Sequence, residues 1–197
     1  PIFDRKMRED LLDACRHDWS AVSPAIFGSL FQSVMDAKER RAKGAHYTSE
    51  ENILKVIGPL FLDDLREELA ALTARKTAKD KALLEFQARL SRMRFLDPAC
   101  GCGNFLVIAY REVRRLELEC LQELYGDQRI DAELMTRVTV DQFFGIEYEE
   151  FPALIAEVAM WMADHIANNE INEAFRLNYA RIPLSGGATI RHGDALK

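Results

Sequence analysis

Apolar residues over positions 5–42 recur at helical spacing, Leu11, Leu12 and Ala14 in one stretch and Leu30, Phe31, Val34 and Met35 in another, between charged faces. Ser23-Pro24 and Gly28 interrupt the run, which predicts two or three short helices. Gly44 to Glu51 is polar. There Thr48 or Ser49 ahead of Glu50 and Glu51 has the form of a helix cap, with an apolar helix following from Ile53. Residues 73–92 alternate charges with Leu and Phe at helical spacing and read as a solvated surface helix laced by intrahelical ion pairs, with no catalytic role.

At Met93 the pattern changes. Met93 to Leu96 is a short apolar run that predicts a strand, Asp97 to Gly103 a glycine-bearing turn, and Asn104 to about Leu124 a long amphipathic helix. A second strand is expected at Gln142 to Ile146, ending at Glu147. Pro152 then stands near the start of a helix that runs through Trp161 to about Ala167. In that helix Leu154, Val158 and Met162, with Trp161 beside them, are expected to pack on the sheet rather than to line a ligand groove. A third strand is expected at Ala188 to Arg191, ending at Gly193-Asp194, and Tyr125 to Asp141 reads as an irregular or inserted connection.

Strands alternating with helices imply an α/β fold with a parallel, doubly wound sheet. Three regions result: an N-terminal helical segment (1–43), a polar loop with helices (44–92) and the sheet-bearing part (93–197). Ligands of such sheets bind beyond the carboxyl ends of the strands, where Asp97, Glu147 and Asp194 all fall.

At 197 residues and 48% hydrophobic, the chain can bury a substantial core. No apolar run approaches the roughly 20 residues that span a bilayer, and no signal segment opens the chain, so a cytoplasmic protein is expected. Cysteines 15, 100, 102 and 120 lack paired spacing and read as reduced, mostly structural thiols. A net charge of -6 and a pI near 5.3 are the wrong sign for gripping phosphates, so any DNA substrate is expected to be held by other segments. The chain opens at Pro1 without an initiator Met and stops just past the third strand-end acid, which suggests a piece of a longer protein.

The chemistry of the Asp97–Gly103 turn points to a nucleotide-like ligand. Its two glycines let the backbone turn sharply, and the following helix offers unpaired N–H groups. It lacks the GxGxxG spacing of dinucleotide sites, and a carboxylate at its head repels a pyrophosphate but attracts an ammonium, as an aminoacyl cofactor carries. Glu147 can accept from both hydroxyls of a ribose, and Asp194 from an adenine amino group. Taken singly, each acid has a plainer reading as a turn cap, a helix opener or a solvated loop residue. Three at successive strand ends point together to a ligand.

DPACGCGNFL at 97–106 resembles motif I of amino-methylating DNA methyltransferases, where DPACGSGNFL is a common form. GAHYTSEENILKVIGPL at 44–60 resembles their motif X, and its place ahead of motif I is the order of the gamma class. FFGIEYEEFPALIAEVAMWMADH at 143–165 is similar to motif II with its helix, and IRHGDAL at 190–196 to motif III. The nearest likeness is to large fused restriction-modification methyltransferases of the MmeI-like type, with the modification subunits of type I systems next.

That resemblance implies a partial Rossmann-like class I methyltransferase sheet that binds S-adenosyl-L-methionine. It places Tyr47 and Thr48 by the methionine part of the cofactor, with His46 in the same segment. Asp97 and the backbone at Ala99, Gly101 and Gly103 surround the amino and carboxylate groups, with Cys100, Asn104 and Phe105 in the same loop and helix start. Glu147 meets the ribose, Tyr148 the adenine ring, and Asp194 with the Ala195 backbone the adenine edge. The implied reaction is transfer of methyl to adenine N6 in a specific sequence of double-stranded DNA. A restriction or specificity subunit, or a fused nuclease, is the implied partner.

Two features depart from the pattern. Cys102 stands at the usual Ser position, and Asp97 and Glu147 are 50 residues apart, against about 20 in a compact dinucleotide unit. Cys100 and Cys102 without two further ligands cannot close a zinc site, and no metal is expected. His46 and His192 have no identified carboxylate partner and are given no catalytic role. The family's Asn/Asp/Ser-Pro-Pro-Tyr/Phe/Trp tetrapeptide is missing, because no Pro-Pro dipeptide occurs in the chain. No catalytic residue is therefore expected here, and the chain alone is expected to be inactive. The alternatives are methylation of RNA, protein or a small molecule, or a non-catalytic cofactor-sensing or assembly domain.

Overall fold

A computed structural model describes residues 4–16, 26, 48–126, 136–176 and 188–197. In chain order it contains α1 (Arg5–Arg16), α2 (Glu50–Ile57), a π-helical turn (Gly58–Leu62), α3 (Asp63–Thr73), α4 (Lys79–Leu90), β1 (Phe95–Asp97), α5 (Asn104–Tyr125), a 3₁₀ turn (Val140–Gln142), β2 (Phe143–Glu147), α6 (Glu150–Ala174) and β3 (Thr189–His192). The strands form a parallel sheet in the order β1-β2-β3. Phe95 lies opposite Phe143, and Glu147 opposite His192. Parallel neighbours need long crossovers, and α5 and α6 supply them.

Local chemistry sets the element ends. Ser49, rather than Thr48, caps α2 by accepting from the Asn52 amide, and Glu50 and Glu51 complement the positive end of the helix. Pro59 has no N–H to give, and the ladder widens beside it, so that the Asp63 amide donates to the Gly58 carbonyl. Each strand ends one residue later than its apolar run suggests, which makes Asp97, Glu147 and His192 the last strand residues.

Two expectations are corrected. Residues 73–92 are not one solvated helix: α3 ends at Thr73, and α4 starts only at Lys79, after Ala78 adopts a left-handed φ of 52°. Neither Gly nor Pro marks that break, so periodicity runs through it. One face of α4 is also buried, through Leu83, Phe86, Gln87 and Leu90. In α6 the large apolar row points outward, with Leu154, Val158 and Trp161 exposed, while Ala153, Ala156, Met160, Ala163 and Ala167 face inward. Small side chains let α6 close onto α5 and the glycine loop, which a row of Leu, Val and Trp would hold off. Of the predicted N-terminal helices, α1 is described and buries no residue. Apart from Ile26, residues 17–47 lie outside the described part.

A single apolar cluster joins the helices ahead of β1 to the sheet and its crossovers, through residues such as Ile53, Leu62, Leu83, Ile108, Phe143 and Met160. Phe95 stacks on Phe143 at 4.6 Å, and Tyr110 meets the same ring edge-on at 5.1 Å. A fully buried side chain of this size contributes roughly 1.5–3 kcal/mol. No described helix is long and apolar enough to cross a membrane.

A buried polar network ties the crossovers together. Arg114 pairs with Glu117 at 3.3 Å and donates to the Val138 carbonyl and to Asn168. Glu117 accepts from Gln87 and from the amides of Arg137 and Val138. Burial pushes the Glu117 carboxyl above its usual range, against the pull of Arg114. Gln142 donates to the Leu90 and Met93 carbonyls, and the Tyr110 hydroxyl donates to Asp164 at 2.5 Å. The connection expected to be irregular is thus held, at its described residues Arg137 and Val138, by the α5 side chains Arg114 and Glu117, which satisfy its backbone.

Candidate cofactor site

The site is built on the turn between β1 and α5. Gly101 and Gly103 take left-handed φ angles of 54° and 82°, which side chains rarely tolerate. The Cys100 amide donates to the Ile146 carbonyl at 3.0 Å, and the Gly103 amide to the Cys100 carbonyl at 2.8 Å, so the turn is fastened both to β2 and to itself. A Cβ on Gly103 would sit 3.0 Å from the Cβ of Ala156, the point where α6 presses on the loop. A Cβ on Gly101 would meet nothing within 4 Å, which leaves open space over that backbone. The first-turn amides of α5 have no acceptor within the helix and form its partly positive end. Beside them the Oδ1 of Asn104 is buried with no hydrogen-bond partner among the described residues.

Asp97 accepts from the Ala99 amide at 3.0 Å through Oδ1. Burial raises its carboxyl above the usual range, and the Glu147 charge adds to this, while the Ala99 bond opposes it. Burial likewise pushes the Cys100 thiol up to about 12 and that of Cys102 to about 11, reinforced by nearby carboxylates. Both thiols are protonated at neutral pH and inert as nucleophiles. The described residues hold no group of three or more His, Cys, Asp or Glu placed to bind a metal.

Glu147 links the parts. Its Oε2 accepts from the Gly101 amide at 2.8 Å and its Oε1 from the Glu149 amide at 2.9 Å, so one carboxylate bridges the glycine loop and the start of α6. Its carbonyl accepts from the Gly193 amide at 2.8 Å, which fastens the end of β3 as well. Asp194 accepts from the Leu196 amide at 3.0 Å and pairs with Lys197 at 3.3 Å. Beyond the strand ends lies an open cavity of about 430 Å³, lined by Tyr148, Glu149, Glu150, His192, Gly193 and Asp194. Such a lining of acceptors suits a ligand rich in hydroxyl and amino donors or carrying positive charge.

Of the residues singled out in the sequence, Asp97, Ala99, Cys100, Gly101, Gly103 and Asn104 form the loop and helix start. Glu147, Tyr148 and Asp194 stand at the neighbouring strand ends, with Ala195 exposed beside Asp194. Phe105 is partly buried against the core. Thr48 is half-buried just ahead of α2, whose Glu50 is tied to Arg111 of α5 at 2.6 Å. Among the described residues no hydrogen bond joins Thr48 to the glycine loop, and His46 and Tyr47 lie outside them. Sequence reasoning missed Glu149, Glu150, His192 and Gly193 as lining residues. The signal for His192 is its ladder pairing with Glu147, which exists only once β2 and β3 are aligned.

Residues 73–197 match the family described as the MmeI DNA-methyltransferase domain. The chain belongs to that family. The expected restriction-modification type and the α/β class, with its partial Rossmann-like parallel sheet, therefore hold. Over 184 residues the MmeI-family chain is 39% identical to DNA methyltransferase A of Bacillus subtilis (strain 168), covering 91% of this chain and 20% of that protein. A Methanocaldococcus jannaschii protein named as a type II restriction enzyme and methyltransferase is 22% identical over 165 residues, covering 72% of this chain and 14% of its own. A solved structure of the type IIL restriction-modification enzyme MmeI, in complex with DNA, superposes with a TM-score of 0.91 at 55% identity, covering 99% of this chain and 26% of that one. The chain thus spans between about a seventh and a quarter of the length of these relatives.

Proposed function

We propose that this chain binds S-adenosyl-L-methionine and forms the cofactor-holding part of a site-specific DNA adenine-N6 methyltransferase of a restriction-modification or phage-defence system. The observation that carries this reading is the convergence of Asp97, Glu147 and Asp194 at the ends of three adjacent parallel strands, with Glu147 bonded to the glycine loop. The residues fit the cofactor: open space over Gly101, an unpaired buried acceptor at Asn104 and a cavity of acceptors beyond β2 and β3.

Asp97 faces the ammonium of the cofactor's amino acid end, and the positive end of α5 its carboxylate. Glu147 takes the ribose hydroxyls on lone pairs that its two backbone bonds leave free. Tyr148, which is 69% exposed, covers the adenine ring, and Asp194 accepts from its amino group. Tyr47 and Thr48, with His46, close the methionine side. The bound cofactor supplies an electrophilic sulfonium methyl. The chain's part is to hold that methyl where a flipped-out adenine can reach it, since positioning supplies most of the rate. Double-stranded DNA and any restriction partner are engaged through other segments, in keeping with the acidic charge of this one and with a cytoplasmic setting. Without a Pro-Pro tetrapeptide the chain alone binds cofactor but transfers nothing.

Calorimetric titration with S-adenosyl-L-methionine tests the site. The unaltered chain binds, and Asp97→Ala and Glu147→Ala each weaken binding about tenfold or more at a temperature where circular dichroism shows the variant still folded. Equal binding by all three refutes the assignment. For the reaction, DNA methylated by a longer protein containing this chain and a tetrapeptide yields N6-methyladenine on digestion. Recovery of N4-methylcytosine instead refutes the adenine assignment.

A further inference from the structure

We infer that His192 is a further cofactor-site residue, whose imidazole N–H donates to a ring nitrogen of the adenine and so helps select it. The inference rests on the S-adenosyl reading above and deepens it.

Its first support is placement. His192 pairs with Glu147 in the parallel ladder, and registered partners project from the same side of a sheet. It lines the same cavity as Tyr148 and Asp194. A nucleoside whose ribose lies on Glu147 and whose amino group reaches Asp194 is brought beside His192, the ladder partner of the one and two residues from the other.

The second support is the shortage of donors. An adenine offers an amino group, which wants an acceptor, and three ring nitrogens, which want donors. Of the six lining residues, Glu149, Glu150 and Asp194 bring carboxylates, and the Gly193 amide is already given to the Glu147 carbonyl. The Ala195 amide at the adenine edge can serve one ring nitrogen, and Tyr148 and His192 are the side-chain donors left for the others. A tyrosine ring laid on the base carries its hydroxyl in the ring plane, away from the base edge. His192 is exposed and its ring makes no hydrogen bond or ion pair among the described residues, so its donor is unspent. In either neutral tautomer one ring nitrogen carries a proton to give.

The test uses 5′-methylthioadenosine, which has the nucleoside but no amino acid end, with the full chain. His192→Phe keeps the bulk and removes the donor, and His192→Gln keeps a donor at similar reach. The phenylalanine variant should bind about five- to tenfold more weakly and the glutamine variant within about twofold of the unaltered chain. In the unaltered chain, one of the 1-, 3- or 7-deaza analogues should lose a similar factor that the phenylalanine variant does not see. Equal binding by the phenylalanine variant, or no such coupling with any analogue, overturns the inference. If the unaltered chain binds neither S-adenosyl-L-methionine nor 5′-methylthioadenosine, the cofactor reading fails and this inference with it. If Glu147→Ala abolishes binding while His192→Phe leaves it intact, this inference alone falls.

Discussion

Gly145→Ala probes how tightly the glycine loop is seated on the sheet. Gly145 lies in the middle strand, registered against Asp97 on one side and Ile190 on the other. A methyl group there would stand 2.7 Å from the Cys100 sulfur and 2.8 Å from the Ile190 δ-methyl, with the Cys100 Cβ at 3.2 Å. Real Cβ atoms do not come within 3.0 Å of such neighbours, so both must move. The isoleucine tip can rotate, but Cys100 cannot retreat without straining the bond from its amide to the Ile146 carbonyl. Overpacking of this kind costs about 1–3 kcal/mol. At this chain length that lowers the melting temperature by about 2–4 °C for each kcal/mol. Because the displaced atoms belong to the loop, affinity for S-adenosyl-L-methionine should fall as well. Ile190→Val removes one of the two closest atoms. Alone it costs about 0.5–1.5 kcal/mol, but combined with Gly145→Ala it should recover part of the loss, with a coupling of about 0.5 kcal/mol or more. Urea unfolding followed by circular dichroism measures all four corners of this cycle. An unchanged midpoint for Gly145→Ala, or strictly additive losses in the double variant, would refute the packing argument.

Arg114→Met leaves Glu117 buried without its countercharge and should destabilise the chain by about 3–5 kcal/mol in urea unfolding, of which adding Glu117→Leu recovers only part, because Gln87 and the Arg137 and Val138 amides then lose their acceptor. A loss below about 1 kcal/mol would show that the pair is not a tie between the crossovers. For Asp97 the folded state raises the carboxyl pKa, so ionising it opposes folding. Its contribution to stability grows as pH falls through the raised pKa and is lost as pH rises again. Affinity for the cationic cofactor should run the opposite way and fall over that same window, above the ordinary carboxylate range. Asp97→Asn should flatten this dependence in calorimetry across pH, and an unaltered slope would count against the assigned ammonium contact. Cys100 and Cys102, with thiols near 12 and 11, should alkylate far more slowly with iodoacetamide at pH 8 than exposed Cys15, read residue by residue by mass spectrometry.

Read residue by residue, the chain already revealed its strand, turn and helix order from Met93 onward, because each part is written in local chemistry. The apolar run, the paired glycines and the long amphipathic stretch sit next to one another in the sequence. The three acids were legible for the same reason: each ends its own apolar run, and strand ends are where α/β sheets hold ligands. Three-dimensional packing settled what periodicity leaves ambiguous. In α6 both the alanine row and the Leu154–Val158–Trp161 row repeat at helical spacing. The alanine row faces inward because α6 presses so close to the glycine loop that a Cβ on Gly103 would sit 3.0 Å from the Ala156 Cβ. The break at residues 74–78 carries no Gly or Pro to announce it. The bonds from Glu147 to Gly101 and from Glu117 to Val138 join residues 46 and 21 apart, and the Glu147–His192 pairing depends on strand register. Such contacts arise only when distant segments are brought together, since no local propensity specifies which amide a buried carboxylate will meet.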